Sequence, residues 1–172
     1  DVYPSWLTVA AVRDDGGAVT HYIAAHHDIS QRKLAEEKIN ELAYFDQLTG
    51  LPNRLLLVDR LRQAMVATAR DGKYGALLFI DLDNFKTLND TLGHDTGDLL
   101  LKEVGQRLSR CVREGDSVAR LGGDEFVVML AGLSEIEHEA IATAEAIAIK
   151  LLAALNQNYQ FGNVTHKSSA SV

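Results

Sequence analysis

The chain has 172 residues, 47% of them apolar, which is room for one domain with a real core, or for one domain plus fragments. Asp and Glu number 24 against 17 Lys and Arg, a formal charge of −7, which argues against a surface built to hold nucleic acid or anionic membrane by bulk attraction. The single cysteine, Cys111, excludes an internal disulfide and fits a reducing cytoplasm; no apolar run reaches membrane length and no signal peptide is present.

The chain starts at Asp1 without a methionine and reads as an excerpt, so a membrane anchor could lie outside it. Residues 5–29 are two stretches rich in Val, Ile, Thr and aromatics around Arg13-Asp14-Asp15-Gly16-Gly17, a β-hairpin pattern. Residues 30–45 turn helical, with Ser30 as the expected N-cap and Ala35, Ile39 and Leu42 spaced as a short coiled-coil seam. From Asp46 a compact α/β domain is predicted. It opens with a helix from about Arg54 to Ala69, whose apolar face is Leu55, Val58, Leu61, Met65 and Ala69, stopped by Asp71-Gly72. A buried strand, Ala76 to Ile80, runs into Asp81-Leu82-Asp83. A second helix is expected over Gly97 to Val112, with Leu100, Val104, Leu108 and Cys111 facing inward.

A hairpin follows, with strands at Val118 to Leu121 and Phe126 to Leu130. A long helix begins at Ser134, where Glu137 completes a capping box, and reaches about Leu155. Tyr159 to Phe161 and Ser168 to Val172 read as further strand pieces. This order predicts an α/β (α+β) fold, a ferredoxin-like or palm-type sheet covered by helices, preceded by a β-hairpin fragment and a linker helix. The expected division is 1–29, 30–45 and 46–172.

The tip of that hairpin, Gly122-Gly123-Asp124-Glu125, sets two adjacent carboxylates in an otherwise apolar ribbon. Like charges side by side repel, and a turn needs glycine but not acid, so the pair asks for a cation. Asp81 ends a buried strand; if that strand neighbours the hairpin, three carboxylates converge at one edge. Hard oxygen ligands of this kind suit magnesium, which keeps waters and adds substrate phosphates, and paired ions support phosphoryl transfer. Gly122 and Gly123 can take positive φ and let a flat or phosphorylated ligand approach the backbone. The simpler reading of the same residues is a solvated turn with incidental acids.

Beyond Asp81, Lys86 is a point charge for a phosphate, Asn89 offers donor and acceptor to a base edge, and Asp98 can accept from two guanine N–H groups. Taken singly, each is equally a cap or turn residue. Together with LTGLPNR (48–54), the runs DLDNFKTLND (81–90), GHDTGD (93–98) and RLGGDEF (120–126) resemble the signature motifs of the GGDEF family of diguanylate cyclases, over Phe45 to Val172.

The resemblance implies condensation of two GTP into cyclic di-GMP with release of pyrophosphate, each protomer of a homodimer presenting one GTP. It implies two magnesium (or manganese) ions per active site, held by Asp81, Asp124 and the Leu82 carbonyl, with Glu125 assisting the metal or the 3′-hydroxyl. Lys86 and the backbone of Asp83 to Phe85 would meet phosphates, Gly122 and Gly123 would line the substrate, and Asn89 and Asp98 would read guanine. Arg113-Glu114-Gly115-Asp116 resembles the family's RxxD inhibitory product site, in which Arg113 grips phosphate or guanine and Asp116 accepts from guanine N–H groups. A solvated helix end is the plainer alternative there.

The N-terminal hairpin, with His27-Asp28-Ile29-Ser30 and the charged helix after it, resembles the last strands and exit of a PAS sensor. The family's final helix, with further basic phosphate ligands, is not among these residues. The runs LTGLPNRLLLVDRL and LLAALNQNYQF also resemble members with a cyclic di-GMP phosphodiesterase domain downstream. A GTP- or cyclic di-GMP-binding regulator without turnover is therefore a second expectation. A nucleic-acid polymerase palm shares the two-metal logic but lacks the basic template surface.

Overall fold

The Asp14 carboxylate builds the first turn by accepting the Gly16 and Ala18 N–H groups at 3.0 and 2.9 Å, and Gly17 takes the left-handed φ of 84° that closes it. This turn joins β1 (Ser5–Arg13) to β2 (Val19–Asp28) as an antiparallel ribbon running from Ser5 opposite Asp28 to Arg13 opposite Val19. The computed structural model describes residues 3–162 and 164–172, in two units that divide between Ala43 and Tyr44. In the first unit the ribbon is followed by α1 (Ser30–Tyr44), and no residue of either strand or of the helix is buried. Ser30 was the expected N-cap, but it is the first helical residue, and the Asp28 carboxylate accepts its N–H at 2.8 Å. The seam residues Ile39 and Leu42 are exposed.

The second unit begins with a loop closed by a bridge between Phe45 and Pro52. Asn53 caps α2 (Arg54–Asp71) by accepting from Leu55 and Leu56 N–H, and Gly72 at φ 70° ends it. Only Leu61 of the expected face of α2 meets the sheet, joined by Leu57 and Ala64, while Leu55, Val58, Met65 and Ala69 are exposed. Four consecutive apolar residues, Leu55 to Val58, give this helix more than one apolar stripe, and the sheet selects among them.

Strand β3 (Ala76–Leu82) leads into α3 (Phe85–Leu92) and α4 (His94–Cys111). A single helix from Gly97 was expected; there are two, hinged at Gly93 with φ 84° and ψ 159°. Helix α3 went unpredicted although Phe85, Leu88 and Leu92 fall at helical spacing, because it is only eight residues long and its polar residues read as ligand groups in a loop. Next come β4 (Ser117–Gly122), β5 (Glu125–Leu130), α5 (Glu137–Leu155), β6 (Tyr159–Phe161), β7 (Val164–His166) and β8 (Ala170–Ser171), of which β7 was not expected. The capping box at the start of α5 is not formed. The Ser134 hydroxyl instead donates to Glu139 at 2.8 Å and accepts the Ile136 N–H.

The sheet order is β4-β5-β3-β8 with antiparallel neighbours throughout, so β3 and β4 run parallel on either side of β5. This is the split βαβ of a ferredoxin-like fold. Alternation along β5 divides the core in two: Phe126, Val128 and Leu130 pack with Leu100, Val104 and Leu108 of α4 and Leu151 of α5, while Val127 and Met129 pack with Leu57 of α2. Arg107 of α4 ties the end of α5 by donating to the carbonyls of Ala154, Gln157 and Asn158 at 2.8–3.1 Å, and it lies 3.7 Å over the Tyr159 ring. Burial pushes the Tyr159 hydroxyl up to about 12. Among the described residues no helix is long and apolar enough to cross a membrane.

Candidate functional site

The antiparallel register of β3 and β5 puts Asp81 opposite Glu125, and residues directly opposite in a ladder share one face, so both carboxylates leave the same side of the sheet end. Between β4 and β5 the chain reverses at Gly123 and Asp124, with φ 144° at Gly122 and φ 53° at Gly123. A Cβ at either glycine would meet nothing within 4 Å; it is the backbone conformation that calls for glycine. Asp124 is half-buried, and Asp81 and Glu125 are exposed.

None of these three carboxylates makes a side-chain hydrogen bond or ion pair among the described residues. The arginine on the adjoining strand is already engaged: Arg120 Nη1 donates to both Asp46 carboxylate oxygens at 3.1 and 3.0 Å, and its Nε and Nη2 donate to the Gly123 carbonyl at 3.1 and 2.7 Å. Burial raises the Asp46 pKa, but hydrogen bonds from Thr49 and Arg120 outweigh it and hold the carboxyl below its usual range. Negative charge is therefore uncompensated at the end of β3 and β5. The convergence of three carboxylates is only partly realised: β3 and β5 align two, Asp124 stands on the turn, and no three acidic, histidine or cysteine side chains among the described residues form a ready-made metal cluster. This donor set still fits magnesium, which binds through one or two carboxylates plus water and substrate phosphate and seldom uses an all-protein cage.

Beside it, Leu82 buries its side chain in the core, which leaves only its carbonyl for a ligand. Asp83 departs from its expected phosphate role. Its N–H donates to Ser169 O at 3.0 Å, and its carboxylate accepts the Ser169 and Ser171 hydroxyls at 2.6 and 2.9 Å, so Asp83 fastens β8. The Ser169 hydroxyl bond, first among these, lowers its pKa. The backbone amides left for an anion are those of Asn84 and Phe85, at the positive end of α3, with Lys86 exposed in its first turn. Asn84 enters that turn in the left-handed region at φ 59°. The Phe85 ring packs against the core, leaving its backbone for substrate.

Helices α3 and α4 hold Asn89 between them. Its Oδ1 is buried and has no hydrogen-bond partner, and it lies so close to Gly97 that a Cβ there would collide with it. Asp98, the residue after that glycine, is exposed.

At the other end of the sheet, Arg113 and Asp116 are brought together but already spoken for. The Asp116 carboxylate is 2% exposed, accepts Arg113 N–H and Ala131 N–H at 3.3 Å each, and faces Arg113 Nε at 3.4 Å. This corrects the expectation that Asp116 is open to guanine: it locks the exit of α4 to the end of β5. Arg113, 60% exposed, also donates from Nη2 to Ala131 O at 2.6 Å. A 280 Å³ hollow beside it is lined by Arg60, Ser109, Glu114 and Ser117.

The residues that sequence reasoning passed over are Arg120 and Asp46. A lone arginine inside a strand, just before two glycines, and an Asp46-x-x-Thr49 turn were the available signals.

A sequence model of the family described as diguanylate cyclase, GGDEF domain, matches residues 43–172. The bifunctional diguanylate cyclase/cyclic di-GMP phosphodiesterase MucR of Pseudomonas aeruginosa is 46% identical over 138 residues, which cover 80% of this chain and 19% of MucR. The solved GGDEF domain of TpbB from the same organism superposes with a TM-score of 0.69 at 39% identity, covering 74% of this chain and 72% of that one. The GGDEF domain of DgcB from Caulobacter crescentus, in complex with c-di-GMP, gives 0.67 at 27% identity over 75% of this chain and 74% of that one. The chain thus spans about a fifth of the length of MucR.

Proposed function

The chain belongs to the GGDEF family, the diguanylate cyclase domain, and we propose that it condenses two GTP molecules into cyclic di-GMP and pyrophosphate, one GTP over each hairpin of a homodimer. The observation that carries this reading is the uncompensated carboxylate set of Asp81, Asp124 and Glu125 beside the free amides that open α3. Asp81, Asp124 and the Leu82 carbonyl would hold divalent ions, magnesium or manganese, which when bound neutralise charge developing on the transferring phosphate.

The chain's own groups divide the remaining work. In each half-reaction the 3′-oxygen of one GTP bonds to the α-phosphorus of the other, the bond to the bridging oxygen breaks, and pyrophosphate leaves. Glu125, exposed and opposite Asp81, takes the 3′-hydroxyl proton. Asn84 and Phe85 N–H with Lys86 bind phosphate oxygens, and Gly122 and Gly123 leave the approach to the turn open. Asn89 and Asp98 select guanine, which presents N–H donors on one edge. A buried acceptor left unpaired costs about 1–3 kcal/mol, so a guanine donor reaching Asn89 Oδ1 would recover energy that the free protein forgoes.

Arg113 supplies an exposed guanidinium for the phosphate of bound product, at the end of the sheet away from the hairpin tip. Product held there restrains the two hairpins from meeting, so inhibition is non-competitive with GTP. The experiment on the chemistry is Asp124→Asn in the full-length protein. It should fold normally by circular dichroism yet lose synthesis from GTP and magnesium, because an amide does not balance the cation's charge. Wild-type turnover in this variant would exclude the role given to Asp124. The bifunctional naming of MucR favours a second reading, a nucleotide-binding regulator of a phosphodiesterase domain. Wild-type protein that binds GTP but releases no pyrophosphate would select it.

A further inference from the structure

We infer that Arg120 is a positioning residue, whose guanidinium sets the peptide plane between Gly123 and Asp124 and so aims the Asp124 carboxylate; this rests on the reading of Asp124 given above. The ladder itself leaves that turn loosely specified. Pairing of β4 with β5 is regular up to Arg120 opposite Phe126, then skips a residue to Gly122 opposite Glu125, and the two glycines carry the chain through positive φ. Glycine admits many conformations, so a further contact must select one.

Arg120 makes that contact with a two-sided fork. Its Nε and Nη2 both donate to the Gly123 carbonyl, at 3.1 and 2.7 Å, while Nη1 is held on both oxygens of Asp46. The Gly123 carbonyl and the Asp124 N–H belong to one planar unit, so fixing the first orients the second and the Cα that follows.

The anchor at the other end is equally bound. Asp46 Oδ2 also accepts the Thr49 N–H at 2.8 Å and the Thr49 hydroxyl at 2.6 Å, and Arg120 N–H donates to Pro52 O at 3.0 Å. The Arg120 and Asp46 side chains are 10% and 21% exposed, so solvent competes little for this pair. The chain of contacts therefore runs from the loop at 45–53, through Arg120, to the turn that carries Asp124. If Arg120 only pinned that loop to the sheet, an ion pair would suffice, and the fork on Gly123 would be without consequence.

Arg120→Lys separates the two roles, because lysine can keep the ion pair with Asp46 but has no planar fork to hold the Gly123 carbonyl. In the full-length protein the expected result is an unchanged melting temperature, a KM for GTP within about threefold of wild type, and a kcat lower by about a hundredfold, the scale of a misplacement near 1 Å. Manganese binding, read by electron paramagnetic resonance with a non-hydrolysable GTP analogue, should weaken in parallel. In the 172-residue chain the amide resonances of Gly123 and Asp124 should shift and broaden without any substrate. Asp46→Asn, which loosens the fork from its other side, should change the same two resonances and lower kcat by a smaller factor. It carries the test if the lysine variant is unstable. Unchanged Gly123 and Asp124 resonances, or a wild-type kcat in a folded variant, would overturn the inference. A wild-type protein that neither turns over GTP nor binds manganese with the analogue would instead overturn the catalytic reading, and the resonances would still decide the fork.

Discussion

The two units of this chain make the same kinds of secondary structure by different means. The ribbon of β1 and β2 and the helix after it bury no residue among those described, and local contacts shape them: an Asp14 turn, a bulged ladder, an Asp28 cap and the i,i+4 pair Arg32–Glu36. Trp6, Leu7, Val9, Tyr22 and Ile23 are all exposed on it. From Tyr44 onward some large apolar residues stay exposed, Phe79 and Ile149 among them, but others of the same types are buried in two clusters on either side of β5. Local pattern is enough to shape a hairpin, but burial is what makes a unit resist unfolding, and a lone two-stranded ribbon is marginal in water.

The widest gap between the units should appear on truncating matched apolar side chains. Phe126→Ala removes a fully buried ring and should cost about 3–5 kcal/mol in urea denaturation followed by circular dichroism, whereas Ile23→Ala, on the exposed ribbon, should stay within about 0.5 kcal/mol. An equal loss from both would show that the ribbon is packed in solution after all.

Arg113→Ala probes a site that only the second unit contains. It should weaken cyclic di-GMP binding by about 2 kcal/mol, roughly thirtyfold, with little change in initial rate, as read by isothermal titration and progress curves. Binding of product equally well by both proteins would leave the Arg113–Asp116 lock as a fastener of α4 to β5 and nothing more.

The smallest effect is in acid and separates two carboxyls whose pKa is lowered from 3.8. In Asp28 hydrogen bonds from the Ser30 hydroxyl and N–H lower it, and in Asp46 those from Thr49 and Arg120 prevail over burial. A depressed folded pKa stabilises above the unfolded value and is lost as pH falls through the folded one, so both contributions begin to fall near about pH 4 and are gone only below the lowered folded pKa of each group. Protonating exposed Asp28 should only fray the start of α1. Protonating Asp46 should loosen the loop at 45–53 and the Gly123–Asp124 turn, visible as line broadening at Arg120 and Asp124 in a pH titration. Broadening confined to α1 would mean that Asp46 is not the anchor of the fork.

Several elements were readable from the residues alone because their causes are local. The Asp14–Gly17 turn, the stop of α2 at Gly72, the Gly-Gly hairpin and the apolar run of β5 each depend on a backbone preference or on a pattern within a few neighbours. The four motifs likewise named the family, since Asp81, Lys86, Asn89, Asp98 and the hairpin acids are legible as chemistry wherever they stand.

What required the fold is everything set by who else is nearby. Helix α2 carries more than one apolar stripe, and the position of the sheet decided that Leu57 rather than Leu55 would be buried. Helix α3 is short, and it is placed by packing Leu88 and Phe85 on the core beside α4, with Gly97 making room for the Asn89 amide. Asp83 and Asp116 look like free acceptors in the sequence, yet distant partners occupy them, Ser169 and Ser171 in one case and Ala131 in the other. Arg120 reads as one more strand residue until Asp46, far away in the chain, and Gly123 are found on its two sides. A side chain's type and spacing state what it is able to bind, and those are properties of the sequence. Whether its donors and acceptors are still free is settled by long-range neighbours, and those exist only once β3, β5 and β8 have paired.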